Sequence, residues 1–410
     1  MGADSTAVES AVGAVVDPEL DLPIGRLGML REVRARRRRV GISLGLPLGG
    51  WPGTDDLAAR VKAAAEGVAG VEEASVEIGI MDDDERAALR SELRSVMEGA
   101  SDASSDPAPS DEPSTAQPGG GHGDHTHGDH THAGHSHGAP AESPMPALLR
   151  AGARTRVVGV SSGKGGVGKS SVTVNLALAL AAAGKRVGVL DADVYGFSVP
   201  GMIGAEREPI ILGDLVVPTL ARGVRCLSMG FFVPDDQPVI WRGPMLHKAI
   251  QQLLFDAYWG EPDFLLIDMP PGTGDVTLSL AEVAPRAEVV VVTTPQPAAQ
   301  RVAQRSAFAA RKLKLPVRGV IENMSWFTGD DGVRYELFGR GGGQALAADL
   351  GVPLLGQVPL VPELREGGDT GKPIVALDPD GEASAAFAAL ASRLVSMGPG
   401  RVYRRELAIR

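Results

Sequence analysis

The stretch SSGKGGVGKSSVTVNLALAL, residues 161–180, decides the fold. It joins an apolar run, RVVGVSS (156–162), to an Ala/Leu-rich helical pattern through a glycine-rich turn, and residues 163–170 fit G-x-x-x-x-G-K-[ST]. A strand before and a helix after are the context in which such a loop cradles phosphate. Gly163, Gly165, Gly166 and Gly168, with Val167 between them, let backbone amides turn toward an anion. Lys169 neutralises charge on the β- and γ-phosphates, and Ser170 offers a hydroxyl to Mg2+. A glycine-rich turn with no ligand is the competing reading, and it leaves the ordered strand, loop, helix and downstream carboxylates unexplained. Lys164 is a second lysine at the mouth of the loop, and its natural target is a phosphate in a facing subunit.

Outward from the loop, apolar runs alternate with helical patterns. Strand candidates are 156–162, 186–193, 264–270, 288–295, 317–324 and 353–359, with helices at 169–183, 243–255 and 300–313. Several strands are continuous Val/Ile/Leu runs, as expected of parallel strands covered on both faces. The pattern predicts an α/β, doubly wound, mostly parallel sheet with ligands at the carboxyl ends of its strands. Three carboxylates fall there. Asp268 ends LLIDMP, where it can hold a metal-bound water, and Asp191 and Asp193 in VLDADVYG are placed to contact Mg2+ and the nucleophile.

Length and composition allow more than one domain. The chain has 410 residues, 43% of them hydrophobic. Forty Lys+Arg against 51 Asp+Glu give a formal charge of -11, which argues against broad binding to nucleic acid or anionic membrane. No apolar run reaches the roughly 18–20 residues of a membrane helix, and the start lacks a basic and apolar leader pattern, so a cytoplasmic protein is expected. Residues 99–146 are rich in Ser, Asp, Pro, Gly and His and read as a flexible linker. They separate a small α+β domain (1–98) from the nucleotide-binding domain (147–395) and a tail (396–410). In the small domain, residues 28–48 suggest a two-stranded ribbon with the run Arg36, Arg37, Arg38, Arg39 on an exposed ribbon edge, and DPEL (17–20) reads as a turn. Seven of the eight histidines lie between 122 and 137, a composition suited to loose capture of Zn2+, Ni2+ or Cu2+.

Lys164, Gly165, Gly166, Lys169 and Ser170 match K-G-G-x-x-K-[ST], and the chain thereby resembles the deviant Walker A ATPases, the MinD, ParA, nitrogenase iron protein and Mrp families. In that group the first lysine reaches across a homodimer to the partner's nucleotide. DADVYGFSVPGMIG, MPPGTGDVTLSL, TTPQPAAQRVA, VIENMSWF and GQVPLVPELREGGDTGKPI further look like the Mrp family of iron-sulfur cluster carriers, and the segment with DPEL is similar to the iron-sulfur assembly domain often fused ahead of them. The resemblance implies ATP and Mg2+ as cofactors, Asp193 as the water-orienting residue, Asp268 at the Walker B position and Asn323 in an adenine pocket. It also implies a homodimer that binds a cluster and hands it to apoprotein clients.

One departure stands against that pattern. Many relatives carry a C-x-x-C pair after the ENMS segment, where this chain reads ENMSWFTGDDGVRYELFGRGGG, and Cys226 is its only cysteine. Either the cluster is held by non-cysteine or partner-supplied ligands, or the chain keeps the ATPase without the cluster. The rival functions are a spatial-organisation ATPase acting on DNA or membrane, and a cluster-free assembly scaffold. The C-terminal amphipathic pattern bears few basic residues before Arg401, Arg404 and Arg405, which weakens the first rival.

Overall fold

The computed structural model describes residues 4–99, 144–232 and 243–400 apart from positions 151, 195 and 273. The histidine tract, most of the expected linker and the basic tail lie outside the described residues.

The first unit runs α1 (Ser5–Gly13), β1 (Leu30–Arg36), β2 (Arg39–Leu46), α2 (Thr54–Glu66), β3 (Glu73–Ile80) and α3 (Asp83–Met97). The sheet order is β1-β2-β3, with β1 antiparallel and β3 parallel to β2. The ribbon forms as expected, but the arginine run does not lie along its edge. Arg37 and Arg38 make the turn itself, Arg37 with φ 57°, so charged tips point to water where the chain reverses. Helix α3 was not foreseen, although its start is written locally: Asp82 accepts from the Glu85 N–H at 2.8 Å while Glu85 accepts from the Asp82 N–H at 2.8 Å, a capping box. In the DPEL turn, Asp17 is fully buried and accepts from the backbone N–H groups of Glu19 and Leu20 and from the Trp51 indole at 3.0 Å.

The second unit runs β4 (Arg156–Ser162), α4 (Lys169–Ala182), β5 (Val187–Asp191), α5 (Val199–Ile203), β6 (Ile210–Leu212), β7 (Leu215–Val217), β8 (Thr219–Ala221), β9 (Val224–Ser228), α6 (Gly243–Phe255), β10 (Phe264–Asp268), α7 (Asp275–Val283) and β11 (Glu288–Thr293). It continues with α8 (Pro297–Lys312), β12 (Val317–Glu322), β13 (Phe327–Thr328), β14 (Arg334–Tyr335), α9 (Gly342–Leu350), β15 (Leu354–Gln357), α10 (Pro362–Asp369), α11 (Ile374–Leu377) and α12 (Glu382–Ser396). Helix α8 starts before the expected position 300 because Pro297, with its φ preset, occupies the first turn.

The main sheet has the order β15-β12-β11-β4-β10-β5-β9-β8, parallel except for β8. Alternate residues of one strand enter different cores, which is what a doubly wound sheet requires. In β10, Leu265 and Ile267 join α6, α7 and α8 on one face, while Phe264 and Leu266 join α4 and α12 on the other. Strand β9 falls in the apolar, strand-like stretch around Cys226, whereas β8 and the β6–β7 hairpin, of three residues per strand, are too short to show a period.

The two units pack against each other. Leu212, Leu215, Val217 and Tyr258 belong to the same apolar cluster as the core of the first unit. Arg225 on β9 donates to the Glu19 carbonyl at 2.7 Å and lies 5.5 Å over the Tyr258 ring, whose hydroxyl donates to the Leu20 carbonyl at 2.9 Å. Arg207 pairs with Glu19 at 2.9 Å and Arg94 with Asp214 at 2.6 Å.

Candidate functional site

The site is built where strands β4, β10 and β5 end side by side, Asp268 pairing in register with Val160 on one flank and Asp191 on the other. The loop 163–168 leaves β4 here and enters α4 with no side chain capping the helix. The first amides of α4 are therefore left for an anion. Two glycines are demanded by close approach. A Cβ on Gly163 would lie 2.2 Å from the Ala303 backbone nitrogen of α8, and Gly168, at φ +77°, would press one 2.2 Å from the Asn323 amide. Gly165 and Gly166 have open space around them.

Lys169 and Asp268 are both buried, with Nζ 2.6 Å from Oδ2. The Ser170 hydroxyl donates to the same oxygen at 2.5 Å, and Thr173 donates to Oδ1 at 2.7 Å. Asp193 Oδ2 lies 3.6 Å from Lys169 Nζ, so the lysine stands between two carboxylates. A cleft of ≈ 430 Å³ opens beside it, lined by Asp193, Val194, Gly196, Pro270, Pro271 and Asp275 among others. Ser306 of α8 ties two loops together, donating to the carbonyls of Ser162 at 3.2 Å and Gly272 at 2.5 Å.

Two of the expected site residues have their side chains engaged by the chain itself. Asp191, expected to face Mg2+, has its carboxylate taken up by the chain: it accepts from the N–H of Asp193 at 3.1 Å, of Ser198 at 3.0 Å and of Val199 at 3.1 Å, and from the Ser228 hydroxyl at 3.2 Å. Burial, and next the charge of Asp268, raise its pKa. Its position fastens the segment that carries Asp193. Asn323, expected in an adenine pocket, is fully buried beneath the phosphate loop and donates from Nδ2 to the Val167 carbonyl at 2.9 Å, while its Oδ1 has no partner among the described residues. Lys164 is half-exposed, and among the described residues no ion pair to it occurs. Cys226 lies in β9 at 0% exposure, where burial pushes its thiol up.

Thr173, Ser228 and Ser306 were not singled out from sequence. Only Thr173 had a local signal, since it follows Lys169 by one helical turn and shares its face. A hydrogen bond to a charged group is worth about 1.5–3 kcal/mol. Thr173→Val is therefore expected to lower ATP turnover on the order of tenfold or more and to raise the Mg2+ concentration for half-maximal rate. Thr173→Ser restores both. An unchanged Mg2+ midpoint in the valine variant removes the positioning role.

A glycine-rich loop between the central strand and its helix, with its lysine on a strand-end carboxylate, defines a P-loop NTPase. The chain belongs to the family described as NUBPL iron-transfer P-loop NTPase, whose model matches residues 153–395. Residues 5–78 match the family described as iron-sulfur cluster assembly protein. The iron-sulfur cluster carrier protein of Mycobacterium leprae is 41% identical over 377 residues, covering 90% of this chain and 87% of that one. The carrier protein of Mycobacterium tuberculosis strain H37Rv is 38% identical over 409 residues, covering 98% and 94%. Among solved structures, an ADP-bound nucleotide-binding protein from Archaeoglobus fulgidus is 30% identical with a TM-score of 0.49, covering 61% of this chain and 95% of that one.

Proposed function

We propose that this chain is a cytoplasmic homodimer that hydrolyses ATP to drive a step in the transfer of iron-sulfur clusters to apoproteins, with residues 147–395 as the hydrolytic unit and without supplying the cluster's thiolates. The observation that carries the ATPase reading is the convergence of Lys169, Ser170 and Thr173 on Asp268 at 2.5 to 2.7 Å. Without nucleotide, Lys169 is held on carboxylates; with it, the ammonium turns to the β- and γ-phosphates seated on the amides of 163–170. The paired hydroxyl and carboxylate of Ser170 and Asp268 form a hard-oxygen donor set that suits Mg2+. Bound there, that ion would supply charge that neutralises the phosphates. Asp193 faces the cleft and orients the attacking water, and Asp191 keeps its segment in place. Asn323 fixes the loop at Val167 from beneath. Lys164 reaches the partner's nucleotide.

Family membership and the names of the relatives support the iron-sulfur half of the reading, and the cluster is cargo. A [4Fe–4S] cluster takes four cysteine thiolates. The chain's single cysteine is sealed in β9 between β5 and β8, so the thiolates belong to the proteins that deliver and receive the cluster. The test is iron and acid-labile sulfide per subunit after anaerobic reconstitution of the wild type and Cys226→Ala, together with cluster transfer from a loaded scaffold protein to an apoprotein, with and without ATP. Both proteins should hold no cluster above background and speed transfer only with ATP. A stable cluster lost with Cys226 overturns the thiolate-free reading, and ATP-independent transfer overturns the proposed role of hydrolysis.

A further inference from the structure

The two edges of the small sheet are built differently. Strand β1, LREVRAR, alternates charges along its edge and carries a register shift between Leu30 and Glu32. Charge and bulges are the devices by which sheet edges are kept from pairing. Strand β3, EASVEIGI, has no lysine, no proline and no register shift over its eight pairs with β2. Its even-numbered side chains share a face with Leu44 and Leu46 of β2, which are 0% and 3% exposed, yet Ile78 is 44% and Ile80 59% exposed. The apolar face of the sheet thus runs past its helical cover.

The backbone of β3 says what shape fits there. The N–H groups of Glu73 and Met81 turn inward to the carbonyls of Arg38 and Leu46. Because successive residues of a strand alternate, those of Ala74, Val76, Ile78 and Ile80 turn outward. The ends of this row are occupied: Ala74 N–H donates to Glu66 at 3.2 Å, and the Ile80 carbonyl accepts from Arg31 at 2.8 Å. Val76 and Ile78, between them, present donors and acceptors with no partner among the described residues. On the opposite face, Glu73 is paired with Arg39 at 2.9 Å, while Glu77 feels the charge of Arg34, whose own salt bridge goes to Glu32 at 2.6 Å, and no salt bridge to Glu77 occurs among the described residues.

We propose that β3 is a docking edge for an extended segment of a partner protein, which adds as a fourth strand with apolar side chains at alternate positions over Ile78 and a basic side chain opposite Glu77. Main-chain hydrogen bonds at Val76 and Ile78 supply the register, and Ile78 and Ile80 supply the apolar contact. The phosphate loop takes no part in it.

The probe is the octapeptide Val-Lys-Val-Thr-Ile-Lys-Val-Thr, with one twin carrying proline at positions 4 and 5, so that a ladder donor is lost in either strand direction, and another carrying glutamate for both lysines, titrated into the full chain. Binding of the lysine peptide is expected to slow hydrogen exchange at the Val76 and Ile78 amides roughly tenfold or more. The proline twin should not bind. Glu77→Lys should weaken the lysine peptide about two- to fivefold and strengthen the glutamate twin in the same measure, a swap that loss of folding cannot produce. Ile78→Lys should abolish binding while ATP turnover stays at the wild-type rate. No protection at those two amides, or equal binding of the proline twin, overturns the proposal. So does sedimentation showing that the chain dimerises through this edge and that Ile78→Lys makes it monomeric, because the occupant is then a second copy.

Discussion

Lys169→Ala should bind no nucleotide at concentrations that saturate the wild type, and its ATP turnover should fall by about three orders of magnitude, in line with removing a principal charge on the transferred phosphoryl group. Lys164→Ala should still bind, while turnover and ATP-dependent dimerisation both drop. The two lysines separate because of where they stand. Lys169 is buried with its ammonium 2.6 Å from Asp268, inside the loop, whereas Lys164 is half-exposed at the loop's mouth. Lys169→Ala has a second consequence that does not involve nucleotide. Asp268 is 0% exposed and keeps only the hydroxyls of Ser170 and Thr173. A buried charge stripped of its partner costs on the order of 3–5 kcal/mol, so the nucleotide-free variant should melt below the wild type. Asp268→Asn in the Lys169→Ala background should return part of that loss. Nucleotide binding by dialysis, phosphate release and thermal melts with and without ATP check all of this together. Equal turnover in Lys164→Ala and Lys169→Ala counts against a cross-subunit role for Lys164.

The second large effect is on stability and lies at the opposite end of the sheet. Glu288, the first residue of β11, is 3% exposed; its Oε2 accepts from Arg156 at 2.7 Å and lies 3.5 Å from Arg318 Nε, and its Oε1 accepts from the Gly400 N–H. Arg156 also donates to the Leu394 carbonyl at 2.5 Å and sits 5.1 Å over the Phe264 ring. Two guanidinium groups thus share one carboxylate, and each already has an Nε with no hydrogen-bond partner among the described residues. Glu288→Ala leaves the buried Arg156 and the partly buried Arg318 without their shared carboxylate, at a cost of about 3–5 kcal/mol, or roughly 10 °C in Tm for a unit of this size. Glu288→Leu combined with Arg156→Met should recover much of the loss, because a packed apolar pair avoids the desolvation of an unmatched charge. A melt of the double variant no higher than that of Glu288→Ala would show that packing, not charge pairing, dominates there. The contact also explains why the chain beyond α12 does not simply leave the fold: Arg318 donates to the carbonyls of Met397 and Gly398, at 3.2 and 3.0 Å, and Gly400 closes on Glu288.

Much of the architecture was readable because its signals are local. The strand 156–162 and the helix 243–255 match the residues expected of them, since continuous apolar runs and an amphipathic period survive without long-range information. Helix α3 was equally local in its cap and was passed over. The short strands β6 to β8 had no such signal. Three residues cannot display a period, and β8 gains its strand geometry only by pairing with β9. The arginine run shows the same limit from another side, because the hairpin turn at Arg37 and Arg38 carries none of the usual turn residues.

What the amino-acid sequence determined by itself is the loop and its order: an apolar strand, glycines at 163, 165, 166 and 168, Lys169 and Ser170, then a helix. Those are features of neighbouring residues, decided by backbone freedom and side-chain chemistry over a few bonds. What only the tertiary structure decided is which distant groups share that loop's space and which are withheld from it. Asp268 meets Ser170 and Thr173 across more than ninety positions, Asp191 is spent on Ser198, Val199 and Ser228, and Cys226 is closed off between β5 and β8. The reason is physical: strand order sets which strand ends are adjacent, and exclusion of water, which governs the charge of Asp191 and the thiol of Cys226, belongs to the packed layers and to no short stretch of chain.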